Sequence, residues 1–176
     1  MPNDNNTTTT TTKNTTGQPA VDLLNEKLFG GATVIELANG NPNTPPTETE
    51  WQRFMAGTSK GFDLSPNSVT SDADDQGGIV EAIITNLDFS IKFDGEVRKK
   101  DVENEFGFHK MLKFIVDAVL ARQQPALWVR FNLCGSVITA FMVVTAYSSD
   151  GGTSDLYTCS AEFKVAKGST LKVELI

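Results

Sequence analysis

Apolar and polar residues alternate without a break through "LDFSIKF", where Leu87, Phe89, Ile91 and Phe93 are separated by Asp88, Ser90 and Lys92. A period of two places the apolar set on one side of an extended chain and the polar set on the other, so the stretch predicts a strand with one wet face. The chain is strand-like from Ile79 onward, and Asp94-Gly95 supplies a turn signal at the far end. "YTCSAEFKV" repeats the pattern: Tyr157, Cys159, Ala161, Phe163 and Val165 face one way, and Thr158, Ser160, Glu162 and Lys164 the other. "ALWVRFNL" and the closing "LKVEL" also read as strands. "SVITAFMVVTAY" is apolar at nearly every position, as in a strand covered on both faces, and the Gly-rich "SSDGGTSD" after it reads as a hairpin connection.

The period changes to that of a helix in one long stretch. Phe108, Met111, Leu112, Ile115, Val116, Val119 and Leu120 recur at three- and four-residue steps, which predicts an amphipathic helix over about 104–122. Asp101, Glu103 and Glu105 near its start and Arg122 at its end suit the helix dipole, and Pro125 forbids continuation. Upstream, "ATVIEL" at 32–37 predicts a strand, followed by a long loop over 38–50 that carries "NGNPNTPPTETE". "VDLLNEKLFGG" predicts a short helix ended by Gly30. Residues 1–20 repeat Thr and hold almost no large apolar side chain, which predicts a flexible tail before a single domain at 21–176. The elements add up to a mainly β fold with one packed α-helix (α+β), a β-sandwich or partly closed barrel.

Composition narrows the partners. At 176 residues and 39% hydrophobic content, the chain can bury one ordinary core. A formal net charge of −7 disfavours a surface that grips phosphates or anionic lipid. Cys134 and Cys159 stand alone, without a CxxC or a Cys/His cluster, and read as reduced, buried thiols. Asn6 and Asn14 head N-x-T sequons, but no basic-then-apolar leader opens the chain and no apolar run approaches the ~18 residues of a membrane span. A soluble protein made in a cytoplasm, with no membrane partner, is the expectation.

Candidate chemistry is sparse. "SDADDQGGIVEA" sets Asp72, Asp74 and Gln76 at the spacing of a calcium loop, but a loop opened by Asp72 needs a bidentate Glu at its twelfth position, which is Ile83. Pro66 and Asn67 precede it and a β pattern follows it, where an EF-hand has helices. Glu81 leaves a non-helical cation site open. The single histidine, His109, adjoins the helix stripe and reads as a surface or interface residue. Asp74 and Asp75 are adjacent carboxylates in a turn, a solvated arrangement rather than a glycosidase pair. There is no GxGxxG, GxxxxGK[ST] or HExxH, and Trp51, Trp128 and the eleven Phe sit mostly at core spacings. No enzyme activity, cofactor or metal is expected.

Between Lys60 and Lys92 there is no Lys or Arg, while Asp63, Asp72, Asp74, Asp75, Glu81 and Asp88 all fall there. A field of one sign repels like charge. In arrangement, the chain from about Ala32 to its C-terminus resembles the major tail tube proteins of long-tailed bacteriophages and the tube proteins of contractile injection systems. The elements that carry the resemblance are "ATVIEL", the long loop, "KGFDLSPNSVTSDADDQGG", "LDFSIKFDGEV", one amphipathic helix, "LWVRF", "GSVITAFMVVTAY" and "YTCSAEFKVAKGSTLKVEL".

That resemblance implies a virion structural protein, assembled in the host cytoplasm, whose sheet joins those of its neighbours in hexameric rings that stack into a tail tube. DNA would pass through the channel in weak, transient contact, and the tape measure and tail terminator proteins would be further partners. On this reading Asp88, Ser90, Lys92, Thr158, Ser160, Glu162 and Lys164 are expected to face the lumen. Asn41, Asn43, Pro45 and Pro46 of the long loop, with Asp72, Asp74 and Asp75, are expected to contact a neighbouring subunit or ring. The alternatives are another β-rich virion module, for head decoration or receptor binding, and a calcium-dependent binding domain.

Overall fold

The computed structural model describes residue 28 and residues 30–71 and 81–176. The expected tail at 1–20, the short helix before Gly30, and Asp72, Asp74 and Asp75 lie outside the described residues.

Nine strands form one sheet. In chain order they are β1 (Val34–Ala38), β2 (Gln52–Phe54), β3 (Ala56–Ser71), β4 (Glu81–Glu96), β5 (Glu105–Phe106), β6 (Ala126–Asn132), β7 (Ser136–Asp150), β8 (Thr158–Val165) and β9 (Lys172–Leu175), with one helix, α1 (Phe108–Leu120), between β5 and β6. Their spatial order is β3-β4-β8-β7-β6-β1-β2-β5, with β9 also paired to β7. All pairings are antiparallel except β2 with β5. The sheet does not close into a barrel.

β7 is the strand on which the sheet turns. Val137–Val143 pairs with β6, while Met142–Asp150 pairs with β8 and Ser136–Thr139 pairs with β9. A bulge leaves Thr145 between the rungs Val144↔Phe163 and Ala146↔Glu162. An extra residue flips the parity, so Ile138, Ala140, Met142 and Val144 face the core before the bulge and Tyr147 does so after it. The nearly unbroken apolarity of this strand has that cause, together with a second small cluster on its other side, where Phe141 meets Trp128 and Ala38.

The main core lies on the side of the sheet that carries α1, hereafter the helix face. Phe89, Ile91 and Phe93 of β4, Cys159, Ala161 and Phe163 of β8, and Leu127, Val129 and Phe131 of β6 are all buried there, as alternation predicts. Phe54 packs between Phe93 and Phe163, with ring centroids 4.3 and 5.8 Å away. α1 covers this core with Met111, and with the half-buried Phe108, Phe114 and Ile115. The helix is shorter than expected because residues 105–106 are spent pairing with β2. It is started by Asp101, whose carboxylate accepts from the His109 and Lys110 amides at 3.2 and 2.8 Å.

Three expectations need correction, and one strand was not foreseen. Asp94-Gly95 is not a turn: both residues lie inside β4, where Gly95 stands opposite Gly57 and Cys159. A Cβ on Gly95 would sit 2.5 Å from the Ala56 carbonyl and 2.6 Å from the Phe93 ring, so glycine serves close packing here. Residues 56–71 form a long edge strand that composition had concealed. Leu112, Val116, Val119 and Leu120 are exposed, because only one side of α1 reaches the sheet. Cys134 is exposed, in a tight turn with φ 60°, whereas Cys159 is buried as expected.

Candidate assembly surface and channel face

The two polar sets predicted from alternation meet on one surface. β4 and β8 pair with the rungs Ser90↔Lys164, Lys92↔Glu162, Asp94↔Ser160 and Glu96↔Thr158, so Ser90, Lys92, Thr158, Ser160, Glu162 and Lys164 share the face opposite the core. Asp88 lies one step further along it. The charges interlock: Lys164 Nζ lies 3.2 Å from Asp88, Lys92 Nζ 3.9 Å from Asp63, and the Ser160 hydroxyl donates to Asp94 at 2.6 Å. Ser90 is itself buried, flanked on its rungs by Asp63 and Lys164. Asp63, Asp94 and Glu96 belong to this surface although the two seven-to-nine-residue patterns missed them. Cross-strand register supplies them, and register is not written in either strand alone.

Further along the same open face the long loop folds back onto its own sheet. Arg130 on β6 is the hub: its Nε donates to Glu36 at 2.7 Å, its Nη1 donates to both carboxylate oxygens of Glu48 at 2.8 and 2.9 Å, and its guanidinium lies over Trp51, 4.6 Å from the ring centroid. Burial alone would pull the guanidinium down, but the hydrogen bonds from Glu36 and Glu48 outweigh it and hold Arg130 above its usual range. Trp128 Nε1 donates to the Asn41 carbonyl at 3.0 Å, and Lys167 Nζ donates to Asn43 Oδ1 at 2.7 Å. At the loop's end the Glu50 carboxyl accepts from the Thr47 amide and hydroxyl, which hold it below the ordinary carboxylate range. Pro45 and Pro46 line an open groove of about 800 Å³ with Trp51, Trp128, Arg130 and Lys172. Asn41 and Asn43 are thus hydrogen-bonded within their own chain, while Pro45 and Pro46 line the groove.

Behind the surface, two titrating groups are held neutral. Burial pushes the Tyr147 phenol far above its usual range, with Cys159 and Asp101 adding to the effect, while its hydroxyl donates to the Phe108 carbonyl at 3.1 Å. Burial also pushes the Cys159 thiol up to about 11, with Asp94 adding to it. Among the described residues there is no cluster of His, Cys, Asp and Glu that could hold a metal ion, and no helix long and apolar enough to cross a membrane.

Among the described residues, two of the open strand edges belong to β3 and β7. β3 pairs only with β4, and β7 beyond Val144 pairs only with β8. The strands between them, β3-β4-β8-β7, form a four-stranded antiparallel sheet whose first and last members run in opposite directions. Beyond Ser90, β4 loses β8 as a partner, and Glu81–Phe89 continues with β3 alone as a two-stranded arm.

No protein-family model matches this sequence, and a search of curated proteins finds no match either. Solved structures do match. A chain in the virion of a native gene transfer agent (GTA) particle superposes with a TM-score of 0.58 at 11% identity, over 84% of this chain and 98% of that one. The fold is shared with that virion chain. A chain of the SPP1 tail tube gives 0.53 at 14% identity over 80% and 77% of the two chains. A chain of the anti-feeding prophage baseplate gives 0.54 at 12% identity over 81% and 91%. At such identities these likenesses describe architecture.

Proposed function

We propose that this protein is a structural subunit of a tail tube, and that its copies join through β3 and the C-terminal half of β7 into rings. The observation that carries the reading is the four-stranded antiparallel section β3-β4-β8-β7, whose first and last strands each have an open edge. An edge row of unpaired amides and carbonyls is a template for another chain. Because β3 and β7 run in opposite directions, rotation about an axis sets β3 of one copy antiparallel to β7 of the next, and the ladder continues without a change of sense.

Six copies, the symmetry of the empty GTA particle's tail, would supply about 24 strands. At ~4.8 Å per strand the ring is roughly 37 Å across before strand tilt widens it. α1 covers one face of the sheet, so the other face lines the channel, and on β3, β4 and β8 it carries Asp63, Asp88, Asp94, Glu96 and Glu162 against Lys92 and Lys164. A mixed, slightly acidic wall does not release counterions from passing phosphates, so DNA would slide rather than bind. The likeness to tail and baseplate chains supports a structural role with the virion as its place; a tape measure and a tail terminator would be further partners.

Negative-stain electron microscopy and light scattering of the purified protein across a wide concentration range test this. Rings or tubes that grow with concentration are expected. A monodisperse monomer throughout, with no rings in micrographs, overturns the proposal.

A further inference from the structure

The helix face of the sheet does not end where the core ends. On the arm, the rungs Phe62↔Ile91, Leu64↔Phe89, Pro66↔Leu87 and, past a bulge, Ser68↔Ile84 all present to that face. Ile91 and Phe89 are buried, but Phe62, Leu64, Leu87 and Ile84 are 47, 49, 51 and 65% exposed. The core surface therefore runs outward, through the Phe62 ring 6.5 Å from Phe131, onto an apolar strip that nothing among the described residues covers.

A second uncovered strip lies on α1. Leu112, Val116 and Val119 follow one another at helical spacing on the flank of the helix that faces away from the sheet, each about half exposed. α1 sits over the end of the sheet that has the open β7 edge. Its Phe108 ring stacks on Tyr147 at 5.5 Å, and Tyr147 lies on the helix face of β7 just past the bulge.

We infer that the apolar strip of the arm in one copy docks on the Leu112–Val116–Val119 stripe of α1 in the next copy. The inference rests on the ring reading above, since a β3 strand joined to that β7 edge turns Phe62 and Leu64 to the same side of the joined sheet as the neighbour's α1. Charge selects the same partner. The arm carries Asp63, Glu81 and Asp88 with no Lys or Arg between residues 61 and 91, while α1 is bordered by the exposed Lys99, Lys100 and Arg122, Lys113 being paired with Asp117 on the helix itself. Two arms repel each other, whereas an arm and a helix attract, with the apolar strips at the centre and charge at the rim. Such a contact is heterologous, each copy giving its arm and receiving another's, which is what a ring requires.

The test is heterotypic crosslinking in a Cys134→Ser background, which removes the exposed thiol and leaves the buried Cys159. Leu64→Cys and Val116→Cys chains are mixed at assembling concentration, treated with a short bis-maleimide and read on a denaturing gel. A covalent dimer in the mixture but in neither variant alone is expected, and a chain that carries both cysteines should give a ladder. A dimer from Leu64→Cys alone, or none in the mixture, overturns the docking. Micrographs of the same samples separate the two readings: rings without the mixed crosslink remove the docking and leave the ring, and the crosslink without rings does the reverse. Amide exchange of the unmodified protein gives a second readout. Protection should rise with concentration at residues 62–69 and 112–119 together, and a rise at only one of them overturns the inference.

Discussion

Reversing the charge on the channel face is the sharpest test of where that face points. Asp88→Lys with Glu162→Lys changes five acids against two lysines on β3, β4 and β8 into three acids against four lysines. Folding should notice little. The Lys164–Asp88 pair is 43 and 52% exposed, and exposed pairs contribute about 0–1 kcal/mol, so the double variant should lose no more than about 2 kcal/mol. Duplex DNA should notice a great deal. Each phosphate engaged adds about −0.9 to the slope of log K against log salt, so two engaged lysines per subunit give a slope near −1.8 and a roughly tenfold loss of affinity between 50 and 200 mM salt. Tubes of both proteins, pelleted with a labelled duplex over that range, provide the assay. Wild-type tubes should retain almost none and show no slope. Variant tubes that assemble normally yet retain no more duplex than wild type at 50 mM salt would refute the assignment, because the reversed face would then lie outside the channel.

Four other outcomes follow from local contacts. Arg130→Met should cost about 2–4 kcal/mol by urea titration, since it strands the part-buried Glu36 and removes the Trp51 contact, whereas Glu48→Ala, at an exposed partner, should cost less than about 1 kcal/mol; equal losses would show that Arg130 is no hub. Gly95→Ala should cost about 2 kcal/mol or more because its Cβ meets backbone, while Gly61→Ala, with nothing within 4 Å, serves as the near-neutral control. Asp101→Ala should remove about 1 kcal/mol by uncapping α1, with Asp101→Asn keeping part of it; a helix of unchanged amide protection would contradict the cap. Cys159 has its folded pKa raised from 9.0 to about 11, so the stability it contributes is complete below pH 9 and is lost as pH rises towards 11; Cys159→Ala should be less stable at pH 7 yet show a shallower alkaline decline, and an identical decline would place the effect elsewhere.

What the sequence displayed and what it hid divide along one physical line. Strands with strict alternation, β4 from Phe89 and β8, were legible because one face joins the core while the other carries polar side chains. β3 was not, because Gly61, Pro66 and a run of Ser, Asn and Asp resemble a loop. An edge strand tolerates such residues, since one side of its backbone has no partner to satisfy. The polar face opposite the core was legible strand by strand, and pairing of β4 with β8 then merged the two lists. Arg130 was not legible, because its partners Glu36 and Glu48 lie 94 and 82 residues away and no local period relates them. On α1 the apolar stripe was visible but wider than one sheet can cover, and that excess width was the only sign in the sequence of a second contact surface.

The base-free run from residue 61 to 91 then has a reason that needs no metal. A long two-stranded arm with one apolar side is the kind of edge that aggregates, and a chain that must remain soluble until it meets the correct surface needs a device against pairing with its own kind. Acids on the opposite side of the arm provide it: Asp63 and Asp88 near its base and Glu81 at its far end stand on the face away from Leu64 and Leu87, which also carries the exposed Val69↔Ile83 rung. Two arms approaching each other bring like charge together, while an arm approaching a helix bordered by lysines does not. The discrimination weakens with salt, since the charges are exposed and screened beyond about 8 Å at physiological ionic strength. High salt should therefore favour disordered aggregates over rings for the same protein at the same concentration, and low salt the reverse. Scattering and micrographs taken across a salt series decide it, and rings that form equally well at every salt would show that shape alone, not charge, chooses the partner.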